Sequence, residues 1–100
     1  MPTPSAPVCP LTVIAWRLVG LTAPDLWWRY TGLGGNRPRA ALVEYLAGTT
    51  AWPAVEHNVL AQALNECLWD LGHPSLAPYR EVPAQRRWAT SDIEGSAELP

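Results

Sequence analysis

The chain contains no lysine and no phenylalanine, and only two cysteines and one methionine among its 100 residues. Each shortage narrows the reading. Seven arginines stand against nine acidic residues, for a net charge of −2. Proteins that hold nucleic acid by neutralising phosphates carry a basic surface instead. No apolar run approaches the ~18–20 residues of a membrane span. No Lys or Arg precedes Arg17, and Pro10 sits just before the first apolar run, so a secretory signal is not expected. The expected location is cytoplasmic, with no membrane partner.

Two cysteines do not make a disulfide framework. Cys9 lies in a proline-rich stretch, and Cys67 reads as a small buried apolar residue. The sequence also lacks H-E-x-x-H, C-x-x-C and G-x-S-x-G. His57 and Cys67 are ten positions apart on one predicted helix, about 15 Å, too far for a nucleophile and its base. His57 reads as a first-turn surface or capping residue, and His73 as a helix C-terminal residue. No metal or cofactor is expected, and an enzyme is the least expected class.

The dominant feature present is the stretch WPAVEHNVLAQALNECLWDLG, residues 52–72. Val55, Val59, Leu60, Ala63, Leu64, Cys67, Leu68 and Leu71 recur at helical spacing and form one apolar stripe. Pro53 suits a first turn, Gly72 a C-terminal cap, and Pro74 stops continuation. Asn58, Gln62, Asn65, Glu66 and Asp70 form the opposite, polar face. The periodicity predicts a helix over 53–71.

Shorter helices flank it. Residues 11–21 are rich in β-branched and aromatic side chains, which suits a strand, but no partner strand is visible; as a helix over 12–19 ended at Gly20 they present Ile14, Leu18 and Leu21 along one side. Thr22 is an N-cap candidate for the next helix, in which Leu26 and Tyr30 share a face. Asn36 resembles the N-cap of a helix over 37–47 that buries Leu42, Val43 and Leu46. After Gly72, Leu76, Pro78, Tyr79 and Val82 suggest an extended segment across the bundle.

The fold class expected is all-α: a small bundle of three to four short helices over residues 11–82. A disordered proline-rich arm (1–10) and a flexible acidic tail (83–100) flank it. Its core is expected to include Leu26, Leu42, Leu46, Val59, Leu60, Ala63, Leu64, Cys67, Leu68 and Leu71.

Two features suggest a site. The turn GLGGNRPR at 32–39 combines Gly32, Gly34 and Gly35 with Arg37 and Arg39. Glycines permit close approach and a helix N-terminus attracts anions. The pattern lacks the lysine and Ser/Thr of a P-loop, and an inter-helix turn with two solvated arginines is the favoured account of it. The second feature is aromatic content: Trp16, Trp27, Trp28, Tyr30, Tyr45, Trp52, Trp69 and Tyr79 exceed what a core of this size absorbs. Exposed Trp and Tyr beside Arg is the composition of interface hot spots; the competing explanation is that Trp replaces the missing Phe in packing.

The leading expectation is a non-enzymatic interaction or regulatory protein that contacts a protein partner through Trp28, Tyr30, Arg37 and Arg39. The alternatives are a nucleic-acid-binding regulator on the same arginines and an anion or small-molecule binder at the 32–39 turn. The oligomeric state is left open.

DLWWRYTGLGGN (residues 25–36) together with EHNVLAQALNECLWDLG (residues 56–72) resembles small uncharacterised helical proteins of actinobacteria. The shortage of residues with AT-rich codons agrees with a GC-rich genome. The resemblance implies a helical, cytoplasmic protein and carries over no functional residue.

Overall fold

Helix-forming runs separated by glycine turns become four helices in the computed structural model, which describes residues 5–82. They are α1 (Pro10–Val19), α2 (Ala23–Gly32), α3 (Arg39–Leu46) and α4 (Ala54–Asp70). Two short strands, β1 (Ser5–Ala6) and β2 (Trp52–Pro53), pair antiparallel, with Ser5 opposite Pro53 and Ala6 opposite Trp52. The expected all-α class holds, with this two-stranded clasp added. It draws part of the 1–10 arm into the fold, and α1 starts within that arm because Pro10 is tolerated in a first turn. The expected 83–100 tail lies outside the described residues.

α4 is the axis, and both α1 and α2 pack on it. Leu60, Leu64 and Leu68 on α4 are fully buried with Leu26 of α2 and Leu42 of α3. Each such side chain contributes about 1.5–3 kcal/mol. Thr22 caps α2 as expected, its hydroxyl accepting from the Asp25 N–H at 3.3 Å. Gly72, at φ 82°, turns the chain back at the end of α4, in a conformation favourable only to glycine.

Four expectations need correction. Leu71 is 55 % exposed and does not join the core, because it lies beyond the last turn of α4. Ile14, Leu18 and Val43 are about half exposed; α1 buries Thr12 and Ala15 instead, and α3 turns Tyr45 inward with Leu42 and Leu46. The small Ala15 face lets α1 lie close on α4. Asn36 does not cap α3; Pro38 occupies that position and the helix begins at Arg39. Finally, Asn65 and His57 on α4 are buried, where a polar face in solvent was expected.

The last correction has one cause. Residues 76–80 run back along α4 as an extended strap, covering the polar side of the helix. Asn65 Nδ2 donates to the Ala77 carbonyl at 2.9 Å, and its Oδ1 accepts from the N–H groups of Leu76 (3.0 Å) and Ala77 (2.9 Å). Asn58 repeats the pairing with Arg80, donating to its carbonyl at 2.8 Å and accepting from its N–H at 2.7 Å. Seven residues of helix advance about 10.5 Å. Three residues of extended chain advance about 9–10 Å, so the two asparagines meet the strap in register.

Candidate functional site

The 32–39 turn and the aromatic run of α2 come together through buried polar contacts. Tyr30 is fully buried, and its hydroxyl donates to Glu56 Oε1 at 2.5 Å while accepting from the Arg37 N–H at 2.8 Å. Asn36 donates twice to the same carboxylate, from its backbone N–H to Oε1 (3.2 Å) and from Nδ2 to Oε2 (3.4 Å). Burial pushes the Tyr30 phenol up to about 12 from 10.0, and the hydrogen bond to Glu56 adds to the shift. Tyr30 is therefore a neutral strut under the turn. It cannot be the surface contact expected, since no part of it reaches solvent.

The same geometry bears on the anion alternative. The glycine turn does gather N–H donors around an anion, but that anion is Glu56 of the chain itself. The Asn36 amide and side chain are directed inward to it, and the Arg37 amide to the phenol beside it.

On the outer side, Trp28 is 67 % exposed, while Arg37 and Arg39 lie in solvent. Trp27 links them. Its ring centroid is 5.5 Å from that of Trp28, and its indole N–H donates to the Arg37 carbonyl at 3.0 Å. Trp27 is itself partly buried against the core. Trp28 and Arg37 are thus fixed near one another by a packed indole. No protein-family model, no curated protein and no solved structure matches the chain. Function must be read from these contacts.

A second cluster went unread in the sequence. Tyr45 stacks on Trp52, with centroids 4.4 Å apart and planes 6° from parallel. The Tyr45 hydroxyl lies 2.7 Å from His57 Nδ1, and His57 Nε2 lies 2.8 Å from the Pro78 carbonyl. A carbonyl only accepts, so Nε2 carries the ring proton and Nδ1 accepts from the phenol. Arg80 donates to that phenol at 2.7 Å, to the Trp52 carbonyl at 2.8 Å, and to the carbonyls of Ala6 (3.2 Å) and Pro7 (2.6 Å). Burial holds His57 below its ordinary 6.5; the Pro78 carbonyl opposes this and Arg80 reinforces it. Burial likewise raises Tyr45 to about 12, with Arg80 opposing.

Cys67 lines a cavity of about 110 Å³ with Val19, Leu21, Leu71, Arg29 and Asp70. The Arg29–Asp70 pair there is loose, at 4.0 Å, and exposed. Burial raises the Cys67 thiol above its usual value, which keeps it protonated and poorly nucleophilic. Both cysteines are free. No helix among the described residues is long and apolar enough to cross a membrane.

Proposed function

We propose that the chain is a small non-enzymatic, cytoplasmic interaction protein of regulatory type. It docks a protein partner on the face formed by Trp28, Arg37 and Arg39. The observation that carries this reading is the indole of Trp28, 67 % exposed beside a turn that Trp27 anchors at 3.0 Å. A large aromatic held in solvent on a packed support loses little freedom when a partner covers it, and Trp and Arg dominate binding energy where they occur. Tyr30 and Glu56 support the face from below, setting the turn that carries Arg37. The two arginines suit an acidic partner segment.

The test is affinity capture from native cell extract with nuclease-treated samples, repeated with Trp28→Ala and Arg37→Ala. A stoichiometric protein that survives nuclease and is lost with both variants supports the reading. Undiminished capture by both variants removes the site assignment. Material lost on nuclease treatment, with affinity falling steeply in salt, transfers the arginines to a nucleic-acid backbone instead.

A further inference from the structure

Separate stretches of the chain converge on the hydroxyl of Tyr45. It accepts from Arg80 of the strap and donates to His57 of α4, and His57 in turn donates to the Pro78 carbonyl. Through Arg80 the cluster also holds the carbonyls of Trp52, Ala6 and Pro7. His57 is 1 % exposed and Tyr45 fully buried.

We propose that this cluster is a proton-operated latch: one proton taken up by His57 releases the Pro78–Arg80 part of the strap from α4 while the helices stay assembled. The hydrogen-bond bookkeeping requires a neutral imidazole. Nε2–H serves the Pro78 carbonyl, and the Nδ1 lone pair receives the phenol proton. A proton on Nδ1 takes away that acceptor. The new N–H then points at an oxygen that already accepts from Arg80, and imidazolium and guanidinium stand one hydrogen bond from the same atom. Opening the strap lets both cations reach water.

Among the described residues, the hydrogen-bond partners of His57 and the Tyr45 hydroxyl, which are the Pro78 carbonyl and Arg80, supply no negative charge. Tyr45 of α3 is neutral, and Cys9 ahead of α1 acts on the phenol, raising it, with no hydrogen bond to His57. Glu56 precedes His57 on α4, but its carboxylate is turned to Tyr30 and Asn36. Arg80 adds like charge.

The release is local because the two ends of the strap are held differently. Leu76 and Ala77 are paired with Asn65, which does not titrate, and the leucine core of α4 contains no ionisable contact with the latch. Arg80 is paired with Asn58 at one end of the strap and with the titrating cluster through its side chain. Opening therefore exposes the Asn58 side chain and the edge of the β1–β2 clasp first. This latch is independent of the Trp28 face.

The test is residue-resolved amide exchange by NMR on the full chain between pH 7 and pH 5, corrected for intrinsic rates. Arg80 N–H bonds Asn58, and Ala77 N–H bonds Asn65, so the ratio of their protection is an internal control. The ratio is expected to fall as pH drops below 6.5, by at most about tenfold per pH unit. The same ratio should stay flat in His57→Gln. In Arg80→Gln the imidazole ¹⁵N titration should move to higher pH, because a neighbouring cation is gone; this readout stands even if His57→Gln fails to fold. A ratio independent of pH, a simultaneous loss of protection at every amide, or an unmoved titration in Arg80→Gln overturns the proposal.

Discussion

Gly35 lies flat against the ring of Tyr30: a Cβ built on Gly35 would stand 2.2 Å from Cζ and 2.3 Å from Cε1. No side chain fits there while the phenol holds Glu56. Gly35→Ala must either push the buried ring out of its slot or open the turn. Overpacking of this kind costs about 3 kcal/mol, a fall in Tm on the order of 15 °C for so small a domain. Gly32→Ala, where nothing lies within 4 Å of the added Cβ, is the matched control. Equal melting temperatures for the two variants would refute the close packing.

Tyr30→Phe keeps the ring and removes one oxygen. The Glu56 carboxylate then loses its 2.5 Å donor and the Arg37 N–H its acceptor. Leaving such buried groups unpaired costs about 2–3 kcal/mol. Urea unfolding measures it. Trp28→Ala, on the exposed neighbour, should shift stability by less than about 0.5 kcal/mol; a larger shift means that Trp28 belongs to the core.

The asparagine pair should be unequal. Asn65 is fully buried and serves Leu76 and Ala77, whereas Asn58 is half-buried and serves Arg80 alone. We expect Asn65→Ala to cost about 3 kcal/mol and Asn58→Ala about 1 kcal/mol. Asn65→Asp keeps both acceptor contacts and loses the donor to the Ala77 carbonyl, so it should fall between them. Chemical denaturation of the three variants decides the order.

Alkaline stability follows from the two buried phenols. Tyr30 and Tyr45 ionise near 12 in the folded chain and near 10.0 when exposed. Folded protein then retains protons that unfolded protein has lost, so the phenols' share of stability is full below pH 10 and falls as pH rises from 10 towards 12, while the buried Cys67 thiol adds an earlier decline from about 9.0. Each phenol accounts for about 2–3 kcal/mol across that window. Denaturation midpoints at pH 8, 10 and 11.5 should show a decline that steepens beyond pH 10, and Tyr45→Phe should flatten part of it. A decline between pH 10 and 11.5 that is unchanged in both Tyr30→Phe and Tyr45→Phe would contradict the assignment.

Much of the fold was legible where local chemistry is decisive. Thr22, Gly20 and Gly72 marked helix ends through capping and backbone freedom. Leu26, Leu42, Leu60, Leu64 and Leu68 stood at helical spacing and are buried. Tyr30 shows how a correct pattern can be put to the wrong use. Its spacing from Leu26 already placed it on the buried face, and only the attraction of aromatic-plus-arginine composition moved it outward. Of the four site residues read from the sequence, Trp28, Arg37 and Arg39 lie exposed.

The polar residues of α4 were not legible in this way. Periodicity divides a helix into apolar and polar faces and equates polar with solvent. The one available signal was the strap itself: a proline-interrupted stretch cannot satisfy its own N–H and C=O groups, so something had to do so. Asn58 and Asn65, seven apart, match that need.

By itself the sequence determined the all-α class, the Thr22 cap, the glycine stops at Gly20 and Gly72 and most of the leucine core. Those follow from interactions within a few residues along the chain and from the apolar period of 3.6. The tertiary structure alone decided that Glu56, not an outside anion, fills the glycine turn. It alone joined His57, Tyr45 and Arg80 at one oxygen. These partners are separated by 12 to 35 positions. Hydrogen bonding at such range leaves no period in a sequence, because it depends on which elements pack together and not on the spacing within any one of them.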